Sequence, residues 1–234
     1  MGLFGERTAL LEKLTPADRR TLLALGSHRT YEPGEHLIDE GATSRFVIVI
    51  LGGWCAVRRS TERGELILAL RQTGELIGEM AALDGRARSA TVSALGPVQT
   101  VVVPGDRFRY FMAARPYVTG LVMSQLIERL RSADDERRAL ASSTVLVRLA
   151  ACLVELADRT GSRRAGGSVA IRLPLSQSEL AAAVGATREA VAKALRLLRD
   201  EGLVSTAPKS IAISDLEPLR LLGGGAAPST GGAS

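Results

Sequence analysis

Between His28 and Gly105 the chain breaks into short β-type runs, each closed by glycine or proline. The runs are His36–Ile38, Phe46–Leu51, Cys55–Arg58, Leu66–Arg71, Thr91–Ala94 and Thr100–Val103. Pro33-Gly34, Gly41, Gly52-Gly53, Gly64, Gly74, Gly85, Gly96-Pro97 and Pro104-Gly105 punctuate them. Many short strands at regular spacing, with glycine at the turns, predict a small barrel or roll. Aromatic residues make up only 3% of the chain, so Leu, Val, Ile and Ala must fill its core.

Helical periodicity flanks this region. Leu10, Leu11, Leu14, Leu22 and Leu25 repeat on a helical period, and Thr15-Pro16 supplies a cap and a first-turn proline. After Arg115-Pro116 a long helix is expected from about Tyr117 to Leu140. Along it Met123, Leu126, Leu130, Ala133, Arg137 and Leu140 alternate by three and four, the spacing of a heptad seam. That seam predicts a homodimer whose contact weakens toward Arg137, with Ile127 turned to the roll. The alternative is one helix packed only on its own roll. A further helix is expected over Thr144–Arg159, with Val145, Leu149, Cys152, Leu153 and Leu156 on one face. Gly161–Gly167 reads as a basic, glycine-rich loop. The expected boundaries are an N-terminal roll over 1–115, a dimerisation helix over 116–140, a C-terminal domain over 141–220 and a disordered tail over 221–234.

Residues Ser176 to Val204 carry the sharpest motif. Ser176 and Glu179 have the spacing of a capping box, Val184-Gly185-Ala186 supplies a glycine turn, and Thr187 is an N-cap residue. The helix that follows divides by face. Val191, Ala194, Leu195 and Leu198 are apolar at i, i+3, i+4 and i+7, while Arg188, Glu189, Ala192, Lys193 and Arg196 point the other way. This is the layout of a helix-turn-helix, whose second helix presents polar residues to the DNA major groove. Arg188 and Lys193 can donate to guanine, Glu189 can accept from cytosine N4, Thr187 suits a phosphate contact, and Ser176 is a further DNA-binding candidate. Leu203–Ser205 and Ile211–Ile213, on either side of Ala207-Pro208-Lys209, predict a two-stranded wing. The competing reading is a generic helical hairpin with a solvated charged face.

The segment Gly74–Thr91 suggests an anion site. A short helix beginning after Gly78-Glu79 leaves backbone N–H groups free, and Arg88-Ser89 brings a guanidinium beside a hydroxyl. Glu79 is misplaced for a phosphate but suits a ribose hydroxyl. The competing reading pairs Arg88 with Glu79 as an internal ion pair.

This segment resembles the phosphate-binding cassette of cyclic-nucleotide-binding domains. From about Leu10 to Ile213 the chain is similar to the family of the cyclic-AMP receptor protein and the fumarate–nitrate reductase regulator. The resemblance implies an α+β fold: an N-terminal cyclic-nucleotide-binding-type β-roll, a long dimerisation helix and a C-terminal winged helix-turn-helix. It implies that Arg88 pairs with a cyclic phosphate and that Ser89 and Glu79 bind phosphate and ribose hydroxyl. The backbone at Gly78 and Met80 would line the pocket, and Arg188, Glu189 and Lys193 would read a palindromic site. In the receptor branch an adjacent Thr and Ser on the long helix contact the adenine amino group, one from each subunit. This chain has Ala133 and Asp134 there. Ala133 cannot hydrogen-bond through its side chain, whereas Asp134 can accept from an amino group. The oxygen-sensing branch uses several thiolates, and the N-terminal half here has only Cys55.

Bulk properties narrow the classes. The net charge of +5 suits a polyanionic partner but is spread along the chain. The two cysteines, Cys55 and Cys152, make no disulfide framework, and His28 and His36 lie outside any H-E-x-x-H pattern. No 18-residue apolar run suggests a membrane span, and the N-terminus lacks a secretory layout, so a cytoplasmic protein is expected. No Walker loop, G-x-S-x-G or nucleophile–histidine pattern points to an enzyme. The expected partners are double-stranded DNA, a second copy of the chain and a cyclic nucleotide effector, cyclic AMP first among them, with RNA polymerase a further candidate. A ligand-independent regulator of the same fold, and a nucleotide-binding module acting through a protein partner, remain alternatives.

Overall fold

The computed structural model describes residues 3–4, 8–62, 64–164, 167–172, 175–207 and 210–224. They fall into two compact units, Phe4–Asp134 and Asp135–Ser234 with Met1–Leu3.

The first unit opens with α1 (Leu10–Lys13) and α2 (Pro16–Ala24). Thr15 caps α2: its hydroxyl accepts from the Asp18 amide at 3.1 Å, and Pro16 occupies the first helical position. Then come β1 (Ser27–Tyr31), β2 (His36–Ile38), β3 (Val47–Gly52), β4 (Trp54–Thr61), β5 (Gly64–Gln72) and β6 (Leu76–Ile77). After α3 (Glu79–Asp84) follow β7 (Thr91–Ala94), β8 (Val98–Val103), α4 (Gly105–Ala113) and α5 (Pro116–Ser142), the last crossing into the second unit.

The strands form two four-stranded antiparallel sheets, ordered β1-β8-β3-β6 and β2-β7-β4-β5. Alternation along β3 explains the apolar run Val47–Ile50. Ile48 and Ile50 turn into the roll with Tyr31, Leu37, Ile38, Val92 and Val98. Val47 and Val49 turn out against Leu22, Phe108, Phe111, Val118 and Val122 of the helices. The sequence had shown no sign of β1, an edge strand of which only Tyr31 is buried, nor of the two-residue β6 or of α4.

The roll uses a different face of α5 from the one expected. Val118, Val122 and Gln125 are buried, and Leu121 and Leu126 pack partly against the outer core. Ile127 is instead 47% exposed, in line with Met123 and Leu130. The exposed stripe therefore runs Met123–Ile127–Leu130. Leu126 leaves the expected seam because it lies on the Val122–Gln125 side of the helix, which the roll has taken.

The second unit contains α6 (Val145–Thr160), β9 (Ser162–Arg163), β10 (Val169–Arg172), α7 (Gln177–Ala183), α8 (Arg188–Asp200), β11 (Val204–Ala207), β12 (Ser210–Ile213) and α9 (Leu216–Leu222). Leu149, Cys152, Leu153 and Leu156 bury the expected face of α6. The wing is larger than a two-stranded hairpin. Its sheet runs β11-β12-β10-β9, so the glycine-rich loop after α6 begins with a strand. Pro208 and Lys209 lie outside the described residues. Leu221 and Leu222, assigned to the tail, complete α9 instead. That helix is capped by the Asp215 carboxylate, buries Leu219 and ties Arg220 to Asp158 at 2.6 Å. From residue 225 the tail lies outside the described residues.

Asp18 joins α2 to the start of α5. Its carboxylate accepts from Tyr117 Oη at 2.5 Å, from Arg115 and from Thr15 Oγ1 at 2.8 Å, which lower its pKa to about 2. A depressed carboxylate stabilises the fold fully above its unfolded pKa, near 3.9, and progressively less as pH falls through its folded value. Urea denaturation of the wild type between pH 2 and 6 should show this acid-side loss, and Asp18→Asn should be less stable at pH 6 with a flatter profile below pH 4.

Candidate functional site

The N-terminal candidate site begins where β6 gives way to α3. Gly78 precedes α3 with φ 78°, a left-handed conformation that glycine adopts without steric cost. A Cβ there would lie 2.7 Å from Arg88 Nη1 and 2.9 Å from Ile38 Cδ1, so space as well as torsion requires glycine.

Arg88 is buried at 4% exposure. Its Nη1 donates to Gly78 O and its Nη2 to Phe46 O, both at 2.6 Å, and Nε donates to Ser44 Oγ at 3.1 Å. The guanidinium also lies 4.7 Å from the centroid of the Phe46 ring. Desolvation lowers its pKa, and the nearby Glu79 charge partly offsets that effect.

Glu79, 2% exposed, pairs with Arg129 of α5. Arg129 Nη1 donates to Glu79 Oε1, and Nη2 donates to Leu76 O at 2.7 Å. Among the described residues, the other carboxylate oxygen, Glu79 Oε2, and Arg129 Nε are buried without a hydrogen-bond partner. The expected alternative of an Arg88–Glu79 ion pair does not form, because each side chain has another partner.

The structure thus joins Gly78, Glu79 and Arg88 in one cluster and adds Arg129 and Ser44, which the sequence reading passed over. A cation at Arg129 on the helix face of Val118, Val122 and Gln125 was the available signal. Met80, Ser89 and Asp134 are exposed. Asp134 follows Arg129 by five positions, about 140° around the helix, so it lies on the stripe of Met123, Ile127 and Leu130 and not on the face toward its own roll.

The second candidate site is α7–turn–α8. Ser176 Oγ accepts from the Glu179 amide at 3.2 Å, and the Glu179 carboxylate accepts from the Ser176 amide at 2.7 Å, completing the capping box. Gly185 forms the turn at φ 60°, and Thr187 Oγ1 caps α8 by accepting from the Ala190 amide at 3.2 Å. Val191, Ala194, Leu195 and Leu198 are buried, while Arg188, Glu189, Ala192, Lys193 and Arg196 are exposed. The Glu189 carboxylate accepts from its own amide and from the Thr187 hydroxyl, which lower its pKa. The acid therefore also caps the helix locally. Arg199 Nη1 donates to Thr206 Oγ1 at 3.1 Å, joining the end of α8 to the wing. The hydroxyls of Ser176 and Thr187 are both engaged in capping but remain at the exposed edge.

Neither cysteine is poised for chemistry. Burial pushes the Cys55 thiol up to about 12, with the Glu75 charge adding to the effect, and burial likewise raises Cys152. Among the described residues, no group of three or more His, Cys, Asp or Glu could hold a metal, and no helix is long and apolar enough to cross a membrane.

Comparison with known proteins places both units. Residues 28–115 match a cyclic nucleotide-binding domain, and residues 147–222 match a Crp-like helix-turn-helix domain. Among similar proteins, the CRP-like cAMP-activated global transcriptional regulator of Mycobacterium tuberculosis is 31% identical over 161 residues, 68% of this chain and 66% of that protein. The chain thus spans about two thirds of that relative's length. The cyclic AMP receptor protein of Thermus thermophilus is 28% identical over 148 residues, covering 63% of this chain and 68% of that protein. A CooA mutant from Carboxydothermus hydrogenoformans shares the fold with a TM-score of 0.78 at 20% identity, covering 94% of this chain and 97% of that one. The chain belongs to the CRP/FNR family, named for the cyclic-AMP receptor protein and the fumarate–nitrate reductase regulator.

Proposed function

We propose that the protein is a sequence-specific DNA-binding transcription regulator, acting as a homodimer on a palindromic site and gated by a cyclic nucleotide in the roll. The observation that carries the DNA reading is the face division of α8. Its apolar residues are anchored, and Arg188 at the helix start stands exposed with Lys193 and Arg196 further along the same face. A major-groove reader needs such a helix, with its N-terminal turn free for base edges and phosphates.

The ligand reading rests on the Glu79–Arg129 pair. Its spare atoms are one acceptor and one donor, Glu79 Oε2 and Arg129 Nε. A sugar hydroxyl donates and accepts at once, so it complements both. Arg88 uses three of its five N–H bonds on protein acceptors and keeps two for an anionic oxygen, whose charge would offset its desolvation. A hydroxyl site beside a guanidinium fits a ribose cyclic phosphate, and the Mycobacterium relative named as cAMP-activated puts cyclic AMP first. Asp134, on the exposed stripe of α5, would meet a base bound in the partner's roll.

Dimerisation would cover Met123, Ile127 and Leu130, an apolar stripe costly to leave in water. Two such protomers would place their recognition helices about 34 Å apart, one turn of DNA. The ligand would favour the DNA-competent arrangement by its differential affinity for it. The carbonyl cage around Arg88 also supports a second reading, a regulator whose roll holds its arginine and works without ligand.

Three measurements test these claims. Arg188→Ala should weaken specific DNA binding by roughly 1–3 kcal/mol and relax one guanine position, as read in a binding selection. An unchanged sequence preference would leave the helix-turn-helix as a protein-docking surface. Calorimetry should give saturable heat with cyclic AMP for the wild type and about tenfold weaker binding for Glu79→Gln. Absence of heat with any cyclic nucleotide favours the ligand-independent reading. Sedimentation should show a dimer at micromolar concentration, with Leu130→Lys shifted to monomer.

A further inference from the structure

We infer that Arg148 is a positioning residue that latches the turn of the helix-turn-helix to the corner between α5 and α6, and so sets the pose in which α8 meets DNA. The inference rests on the DNA-binding, dimeric reading above and adds a residue to it.

Arg148 lies one turn into α6, on its buried face, and is 8% exposed. Its guanidinium meets three backbone carbonyls from two segments. Nε donates to Val184 O at 2.8 Å and Nη2 to Gly185 O at 3.3 Å, both in the turn between α7 and α8. Nη1 donates to Ser143 O at 2.6 Å, in the residue immediately after α5. Val184 is the C-cap of α7, where helix carbonyls lack intrahelical donors and a cation is favoured.

The corner is otherwise thin. Ser143 and Thr144 alone separate α5 from α6, and Thr144 is already the N-cap of α6. A change in the backbone at Ser143 removes one acceptor from a planar, buried guanidinium that must then re-form its bonds elsewhere. The turn holding α8 is thereby coupled to the end of the long helix through one side chain. A planar fork can span three fixed carbonyls, whereas an ammonium is a point donor.

The test compares full-length wild type and Arg148→Met on three duplexes: one half-site, the inverted repeat at the selected spacing, and the same repeat with the spacing changed by about two base pairs. Methionine keeps the apolar stem and removes the donors. The expected result is half-site affinity within about twofold of wild type and a loss of about tenfold in the advantage of the selected spacing. Arg148→Lys should recover part of that advantage, and it is read alone if Arg148→Met loses cooperative unfolding by circular dichroism. Equal weakening on all three duplexes means a merely structural arginine and overturns the inference. So does a variant with the wild-type spacing preference. A wild type without any spacing preference overturns the dimeric reading itself, and the inference with it.

Discussion

A carboxylate taken out of water must meet a cation, and Glu79 meets Arg129 from the long helix. That pair ties the start of α3 to α5, and Arg129 also holds the carbonyl of Leu76 at the end of β6. Arg129 lies on the same face of α5 as Val118 and Val122, which pack into the outer core. With Arg129 turned inward, Val118, Val122 and Gln125 face the roll, and Met123, Ile127 and Leu130 face away. Removing Arg129 from this pair would cost on the order of 3–5 kcal/mol, because the Glu79 charge would stay buried alone. The same pair carries the unmatched donor and acceptor of the candidate ligand site, so helix orientation and ligand chemistry share two residues.

Much of the fold was legible because its signals are local. Glycines at turns marked the strands, and the capping box, Gly185 and Thr187 marked the helix-turn-helix to within a residue. What was missed depends on tertiary contact. β1 has one buried residue and no alternation to read. Strand β10 pairs with β12 across two intervening helices, and nothing in its own four residues announces that. The heptad reading chose Leu126 over Ile127, since both fit a repeat of three and four, and only the position of the roll separates them.

The candidate sites divide in the same way. Gly78, Glu79 and Arg88 were legible as residue types at a spacing, but their partners were not. The sequence allowed Arg88 and Glu79 to pair with each other, whereas the roll gives Arg88 two carbonyls and a hydroxyl and leaves Glu79 to α5. Arg129 and Arg148 resemble solvated helix arginines in isolation. Each sits on the inward, largely apolar face of its helix, and that misfit is what marks an arginine with work inside the protein. Arg88, Arg129 and Arg148 all donate to backbone carbonyls, a use of positive charge to satisfy peptide acceptors.

If the protein works as proposed, the exposed face of α8 reads DNA in pairs, under control of the roll. Selection from a random duplex pool with the full-length protein, run with and without cyclic AMP, tests it most directly. The expected product is an inverted repeat with half-sites one helical turn apart, enriched more strongly when the nucleotide is present. A pool that enriches no sequence under either condition would contradict it.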